Sequence, residues 1–204
     1  MPNKPFWFNV KTANDQAPKD VLETMEEVAE KSGFLPNIFT ALSYFPEEFR
    51  AFFAYHDALM EADSTLTKAE REMIVVSTSA ANGCTYCVIA HGAILRVRSK
   101  HPYISDQVAI DFERAEIEDR QRAILRFAHQ VSLHPQTVTE DDFSPLYSSG
   151  LDDRDIWLVG AIAAFFALSN RLAGFAKIMP NEDFYLLGRF KREHQAQDTQ
   201  LPTP

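Results

Sequence analysis

Apolar residues recur at helical spacing through most of this sequence, and signals that begin and end helices frame them. Thr67, followed three residues later by Glu70, is a capping box, a pattern that begins a helix. The apolar run after it reaches Asn82-Gly83, where a helix is expected to end. The alternation typical of strands is scarce, and the chain has only 7 glycines. The sequence therefore predicts an all-α fold.

The capped helix belongs to a series that the same signals predict. The predicted helices cover residues 18–31, 36–42, 46–60, 67–82, 84–98, 119–133, 139–150, 152–178 and 184–194. The stretch after Leu66 resembles the stretch after Leu151 in pattern, because each has an acidic turn before a long apolar run. Duplicated helical hairpins are one explanation, and two ordinary core helices are another. We expect a single domain, a multi-helix bundle over residues 18–194, with an N-terminal arm (1–17) and a C-terminal tail (195–204) that need a partner surface to become ordered.

The charge balance argues against nucleic acid and membrane surfaces as partners. The net charge is −9, and no run of Lys or Arg exceeds two residues, so the basic surface that binds phosphates is missing. Residues 73–95 carry no formal charge and are long enough to span a bilayer, but an Asn-Gly pair interrupts them; the uncharged run 156–170 is too short. The first residues lack the apolar segment of a secretory signal peptide. We therefore expect a cytoplasmic protein that binds neither nucleic acid nor membrane.

Both cysteines of the chain lie in one short stretch, NGCTYCVIAHG, residues 82–92. In a reducing cytoplasm such a pair is more often catalytic or metal-binding than a structural disulfide. Because the Asn-Gly pair ends one helix, Cys84 lies near the N-terminus of the next, where free N–H groups and the helix dipole favour a thiolate. Cys84, Cys87 and His91 share one face of this helix. One thiol can attack a peroxide or disulfide, the other can displace the product by forming a Cys84–Cys87 bond, and His91 can accept a proton.

Other interpretations of the cysteine pair are weaker. Haem attachment needs a histidine directly after the second cysteine, where this chain has Val88. A structural zinc site needs four ligands, and the sequence has no second Cys/His cluster to complete one. A thioredoxin needs strands in βαβ order, and this sequence predicts helices only. Buried cysteines are common in cores, but the spacing of this pair makes a role as core filler a minor alternative.

Two further residues near the motif are candidates for the site. Glu72 lies twelve residues before Cys84 and directly precedes an apolar run, where a purely solvated acid is less expected. The alternative is that it only stabilises the first turn of its helix, as acids commonly do. Tyr86 lies between the cysteines and could donate a hydrogen bond to a bound substrate, or could be a core or interface tyrosine. The remaining histidines are interpreted as ordinary structural or surface residues.

The pattern Glu72-x11-Cys84-x2-Cys87-x3-His91, with glycine before the first cysteine and alanine before the histidine, resembles the alkylhydroperoxidase D core. That core belongs to the carboxymuconolactone decarboxylase-like superfamily. The core likeness covers about residues 50–110, and the segments LPNIFTALSYFPEEFRAFFAYHDALM and NRLAGFAKIMP are similar to a longer, peroxidase-related branch. The resemblance implies an all-helical fold, assembly into homo-oligomers such as dimers, trimers or hexamers, and reduction of peroxides by a dithiol.

The resemblance also implies a role for each site residue. Cys87 is the thiol that attacks the peroxide, Cys84 is the resolving thiol, and Glu72 and His91 form a proton relay. No metal or organic cofactor is implied, and an external dithiol or a reductase protein restores the pair. The role of Cys87 conflicts with the helix dipole, which favours Cys84, but the dipole contributes only about 0.3–1 kcal/mol. Tyr86 stands where the best-known members carry a further histidine, which is a departure from the family pattern.

We therefore expect an oxidoreductase that reduces hydrogen peroxide or organic hydroperoxides. Two hypotheses of other classes stay open. The chain could be a redox sensor whose disulfide changes its assembly or its partner. It could also be a superfamily enzyme that acts on a lactone or small acid, with Glu72 and His91 as acid and base. The cysteine pair argues against a lactone decarboxylase, because the decarboxylases of the superfamily generally lack it.

Overall fold

The computed structural model describes residues 6–8 and 17–190 of the chain. These residues are mostly helical and include no strand. The α-helices are α1 (Lys19–Ser32), α2 (Asn37–Leu42), α3 (Pro46–Met60), α4 (Lys68–Ala81), α5 (Thr85–Ser99), α6 (Ile104–Asp111), α7 (Asp119–Leu133), α8 (Ser144–Ser148), α9 (Asp153–Ala176) and α10 (Asp183–Leu186). Two 3-10 helices, Pro135–Thr137 and Glu140–Phe143, lie between α7 and α8. The predicted all-α fold is confirmed.

The predicted start and end signals of α4 are present in the structure. The hydroxyl of Thr67 accepts the N–H of Glu70 at 3.1 Å, and the Glu70 carboxylate accepts the N–H of Thr67 at 2.8 Å, so the capping box is complete. Asp152 and Asp155 form the same box at the start of α9. α4 ends just before Gly83, which lies in the left-handed region with φ 68° and lets the chain turn directly into α5.

Two segments before α9 differ from the prediction. The region around Pro102, predicted as a loop, leads directly into α6. This helix is short, and its buried apolar residues Ile104 and Val108 are too few to give a recognisable period. The single helix predicted over residues 139–150 is instead a 3-10 helix followed by α8. Pro145 explains the division, because proline favours the first turn of a new helix.

The C-terminal helix predicted over residues 184–194 is wrong in its bounds, because α10 ends at Leu186. Gly188 then adopts φ 77°, and a Cβ atom there would lie 2.9 Å from the Cβ of Arg96. Arg96 is buried, and it donates hydrogen bonds to the carbonyl oxygens of Phe184 at 2.7 Å and of Leu187 at 2.9 Å. These bonds hold α10 and the turn after it on α5. The remainder of the predicted helix, from residue 191, lies outside the described residues.

Helices α4 and α9 form the centre of the bundle and are joined at both ends. At one end Asp155 of α9 accepts hydrogen bonds from the N–H of Thr65 at 3.0 Å and from its hydroxyl at 2.5 Å. At the other end the Asn170 amide of α9 donates to the hydroxyl of Ser79 on α4 at 2.9 Å. This arrangement brings a polar part of α9 to the end of α4, where the cysteine motif begins.

The buried apolar side chains form two clusters. The larger cluster surrounds α4 and α9 and includes fully buried residues such as Ile74 and Leu125. The smaller cluster lies where α1 to α3 pack against the start of α5 and the end of α9, and it contains Cys84 and Cys87. The N-terminal helices therefore enclose the cysteine motif.

With 24 residues, α9 is long enough to cross a membrane, and its composition is apolar enough. However, 56% of its most apolar stretch is buried inside the molecule, as in the core helix of a globular protein. That the protein binds no membrane stays a prediction.

Part of the predicted N-terminal arm packs against the molecule itself. Phe6 is buried and lies edge-on to Tyr44, with ring centres 5.5 Å apart. The N–H of Trp7 donates to the carbonyl oxygen of Ala176 at 2.9 Å. These residues therefore need no separate partner to pack. The rest of the arm, apart from residue 17, and the predicted tail lie outside the described residues.

Candidate active site

The cysteine pair lies where α4 turns into α5. Cys84 is the N-cap of α5, and its N–H donates to the carbonyl oxygen of Ser79 at 2.9 Å. Its sulfur accepts the N–H of Cys87 at 3.4 Å, which is the usual role of an N-cap side chain. The two cysteines are not bonded to each other. Both are buried, with 4% of Cys84 and 1% of Cys87 exposed.

The surroundings separate the pKa values of the two thiols. The hydrogen bond from the Cys87 side chain lowers the pKa of Cys84 to about 7, and the backbone N–H of Cys87 assists, against the opposing effect of burial. The same hydrogen bond between the sulfurs, together with burial, raises the pKa of Cys87 well above its ordinary value. The surroundings therefore favour a thiolate at Cys84 and a protonated thiol at Cys87.

Glu72 and His91 come together beside the cysteines. Nδ1 of His91 lies 2.8 Å from Oε2 of Glu72, and the exposed fractions of the two side chains are only 14% and 9%. The His91 ring also packs edge-on against Phe166, with ring centres 4.8 Å apart. A carboxylate at Nδ1 leaves Nε2 as the nitrogen that exchanges protons. When His91 carries a proton, its positive charge favours the thiolate and acts to lower the pKa of Cys84.

Two polar residues of α9 complete the surroundings of the dithiol. The hydroxyl oxygen of Ser169 lies 3.9 Å from the Cys87 sulfur. The nearby Asn170 side chain favours the thiolate and so acts to lower the pKa of each cysteine. Neither α9 residue was predicted from the sequence. The signal available in the sequence was a pair of polar residues inside a mostly apolar helix. In the structure both are buried, with 5% of Ser169 and 4% of Asn170 exposed.

A cavity of about 230 Å³ lies against Cys87. It is enclosed by the N-terminal helices on one side and by α5 and α9 on the other, and its walls are mostly apolar. The lining residues include Ile38, Phe39, Phe53, Ala90, Phe166 and Phe184. Cys87 and His91 line the cavity, whereas Cys84 does not. A small molecule in the cavity would therefore meet the Cys87 sulfur first.

The chain is similar to known proteins in sequence and in structure. The pattern of the carboxymuconolactone decarboxylase family matches residues 46–101, which contain all five predicted site residues. A crystal structure of an uncharacterized peroxidase-related protein from Ralstonia eutropha JMP134, described as an alkylhydroperoxidase AhpD core, is 49% identical. The match covers 93% of this chain and 100% of that chain, with a TM-score of 0.90. This chain belongs to the alkylhydroperoxidase D-like/carboxymuconolactone decarboxylase superfamily.

Two further solved structures are similar to this chain. An uncharacterized peroxidase-related protein from Silicibacter sp. TM1040 is 34% identical, and the match covers 90% of this chain and 96% of that chain with a TM-score of 0.85. The debrominase Bmp8, solved with 2,3,4-tribromopyrrole, shares the fold at 19% identity, with a TM-score of 0.67 and coverage of 86% of this chain and 91% of that chain. Among curated proteins, no sequence matches this chain.

This alkylhydroperoxidase D-like chain departs from the family pattern at Tyr86, and the structure shows what the tyrosine contacts. Its ring lines the cavity, and its hydroxyl accepts the N–H of Ile38 at 3.3 Å. The side chain is buried, and burial raises the pKa of Tyr86, so the hydroxyl stays protonated. Tyr86 therefore anchors the start of α2 on α5. That Tyr86 donates a hydrogen bond to a bound substrate stays a prediction.

A histidine of the cavity wall was also not predicted from the sequence. His56, interpreted as an ordinary histidine, lines the cavity from α3. Its sequence surroundings are a Phe-rich amphipathic helix, which does not distinguish a cavity wall from a protein surface.

Within the described part of the chain, no group of three or more His, Cys, Asp or Glu residues could hold a metal ion.

Proposed function

We propose that this protein is a thiol peroxidase-like oxidoreductase that reduces hydrogen peroxide or an organic hydroperoxide with the Cys84–Cys87 pair. One observation carries the proposal: Cys87 and His91 line a cavity, and the sulfur of Cys84 lies next to Cys87, whose backbone N–H it accepts at 3.4 Å. Membership of the alkylhydroperoxidase D-like superfamily supports peroxidase-related chemistry in general.

In the first step, Cys87 attacks a peroxide that occupies the cavity. Its proton passes to the neighbouring Cys84 thiolate, so the Cys87 sulfur becomes nucleophilic as the reaction begins. A bond forms between this sulfur and the terminal peroxide oxygen while the O–O bond breaks. The products are a Cys87 sulfenic acid and an alkoxide, which takes up a proton and leaves as an alcohol. This sequence of events reconciles the lowered pKa of Cys84 with attack by Cys87.

In the second step, Cys84 resolves the sulfenic acid. His91 removes the proton that Cys84 received, and Glu72 stabilises the resulting imidazolium. The Cys84 thiolate attacks the Cys87 sulfur, a disulfide forms, and the departing hydroxide takes the proton from His91 and leaves as water. An external dithiol or a reductase protein then restores both thiols by thiol–disulfide exchange. The cycle requires no metal or prosthetic group.

Steady-state reduction of cumene hydroperoxide with dithiothreitol tests this function. We expect the wild type to turn over repeatedly, and we expect Cys84→Ser and Cys87→Ser each to abolish dithiol-dependent turnover. A redox sensor would instead oxidise once and stop. An enzyme acting on a lactone or small acid would keep its activity after both cysteines were alkylated. Peroxide turnover by the Cys84→Ser, Cys87→Ser double variant would refute the proposed cycle.

We also propose that the protein assembles with copies of itself through one face of α9. Trp157, Leu168 and Phe175 lie along this face and are 78%, 51% and 59% exposed. Two apolar grooves, of about 560 and 520 Å³, run along the same face and meet at Ala164. An exposed apolar surface of this extent marks an interaction site. A second copy is the favoured occupant, because the face combines a projecting Trp157 with a groove that can receive one, as a twofold interface requires.

A further inference from the structure

His56 is a second imidazole on the wall of the cavity. It projects from α3, whereas Glu72 and His91 come from α4 and α5. The ring centres of His56 and His91 are 6.4 Å apart, and both side chains line the cavity beside Cys87. A small polar group that enters between the two rings, such as a hydroperoxide, can contact both of them.

Asp57 orients the His56 ring. Oδ1 of Asp57 lies 2.9 Å from Nδ1 of His56, so Nδ1 is the donor to the carboxylate and Nε2 is the nitrogen left for other partners. The rings of Phe165 and Phe166 pack on His56, with centres 6.1 and 6.2 Å away. The His56 side chain is 27% exposed and that of Asp57 is 72% exposed. The pair therefore lies where the cavity meets solvent, from which the imidazole can regain a proton.

The proposed reaction needs an acid that the thiol side of the site does not supply. When Cys87 attacks, the leaving oxygen becomes a strongly basic alkoxide, and its protonation lowers the barrier. The proton of Cys87 goes to Cys84, and His91 then acts as a base toward Cys84. The Tyr86 hydroxyl is a poor acid, because burial raises its pKa. Of the groups at the cavity, His56 is the one that is placed to protonate the alkoxide.

We propose that His56 is the general acid for the departing oxygen and that Asp57 is its positioning residue. As the Cys87 sulfur bonds to the terminal oxygen, the O–O electron pair goes to the other oxygen, which takes the Nε2 proton of the His56 imidazolium. The products are the Cys87 sulfenic acid, the protonated Cys84 thiol, an alcohol and neutral His56. This inference rests on the proposed peroxidase function and adds to it a residue from α3.

A comparison of two oxidants tests this role, with formation of the Cys84–Cys87 disulfide followed in a single turnover. Cumene hydroperoxide releases a basic alkoxide and needs the acid, whereas peracetic acid releases acetate, which leaves without protonation. With His56→Gln, we expect oxidation by cumene hydroperoxide to slow about 100-fold and oxidation by peracetic acid to change little. Asp57→Asn should slow oxidation by cumene hydroperoxide to a smaller extent, and it should likewise change oxidation by peracetic acid little.

The matched control is His134→Gln, which changes an exposed histidine outside the cavity and should leave both rates at the wild-type level. Equal slowing of His56→Gln with both oxidants would indicate a structural role, and no slowing with either would indicate no role; each result overturns the proposal. Thermal unfolding verifies that the variants fold. If His56→Gln does not fold, the rates of Asp57→Asn with the two oxidants decide the question. A wild type that forms no disulfide with either oxidant would refute the peroxidase function itself, and the inference with it.

Discussion

The sulfur of Cys84 accepts the backbone N–H of Cys87 at 3.4 Å, so the thiolate of the pair is also the N-cap of α5. An N-cap acceptor is usually the oxygen of Ser, Thr, Asp or Asn. A thiolate in this position gains a charge-assisted hydrogen bond and the favourable end of the helix dipole. The start of α5 and the acidity of Cys84 therefore depend on the same interactions.

Replacing Cys87 separates the contributions of its side chain and its backbone to this acidity. The side-chain hydrogen bond is the largest cause of the lowered pKa of Cys84. In Cys87→Ala this donor is lost, so we expect the pKa of Cys84 to rise above 7 and the thiolate to form only at higher pH. In Cys87→Ser the hydroxyl still donates, so the pKa should stay near 7. The ultraviolet absorbance of the thiolate, measured against pH, gives both values, and identical curves would show that the backbone N–H dominates.

Glu72→Gln tests the proton relay, because it preserves the shape of the side chain and removes its charge. Without the carboxylate, the imidazolium of His91 is less stable, so removal of the proton from Cys84 should be slower. We expect disulfide formation to slow about 100-fold, with a change of about 1 kcal/mol or less in the free energy of unfolding. Rapid-mixing oxidation and urea unfolding measure these effects. Glu61→Gln, at an exposed acid, is the control, and a wild-type oxidation rate in Glu72→Gln would contradict the relay.

Much of this site could be predicted from the sequence because it depends on local signals. The capping box at Thr67 and the break at Gly83 mark the ends of α4, and they place Cys84 at the start of the next helix. Helical spacing then places Cys87 and His91 on the same face as Cys84. Each of these relationships joins residues within a few turns of one another, where backbone hydrogen bonds determine the geometry.

Contacts between distant helices could not be predicted in the same way. His56 and Asn170 reach the site from α3 and α9, and the sequence of either helix does not show which other helices its side chains contact. For a similar reason, the sequence did not determine which of Cys84 and Cys87 has the lower pKa. The order depends on the direction of one hydrogen bond between the sulfurs and on the burial of both, which arise only when α5 packs against α9.

Asn170→Ala should weaken both the fold and the site. The Asn170 side chain donates to Ser79 at 2.9 Å and accepts from Asn82 at 3.1 Å. Its loss leaves buried polar groups without a partner, so we expect a decrease of about 1–3 kcal/mol in the free energy of unfolding. The pKa of Cys84 should rise at the same time, because a side chain that favours the thiolate is removed. Urea unfolding and the thiolate titration test the two effects, and a variant unchanged in both would show that Asn170 is dispensable.

Trp157→Glu should disrupt the proposed assembly through α9. A carboxylate in an apolar interface would lose its hydration without gaining a partner, which is strongly unfavourable. We expect size-exclusion chromatography with light scattering to show a larger species for the wild type and the 23.2 kDa monomer for the variant. The control is Ile110→Glu, which places the same charge at a residue 85% exposed on α6. An unchanged mass for Trp157→Glu would exclude this face, and a monomeric wild type would exclude the assembly.

Ala90→Leu tests whether the cavity binds the organic part of a hydroperoxide. Ala90 is buried on α5 between Cys87 and His91 and lines the cavity of about 230 Å³. A leucine there reduces the room for a bulky substrate without adding a charge. We expect kcat/KM for cumene hydroperoxide to fall about 10-fold or more, and kcat/KM for hydrogen peroxide to change little, because the small oxidant still reaches Cys87.

Overpacking is the competing explanation for any such loss in Ala90→Leu, since extra methylene groups in a packed core cost about 1–3 kcal/mol. Ala54→Leu makes the same change in size at an exposed position of α3 that does not line the cavity, and it should leave both rates unchanged. Thermal unfolding of the two variants then separates a loss of stability from a loss of binding. Equal losses with both peroxides would show that the leucine disturbs the thiols, whereas an unchanged rate with cumene hydroperoxide would place the substrate outside this cavity.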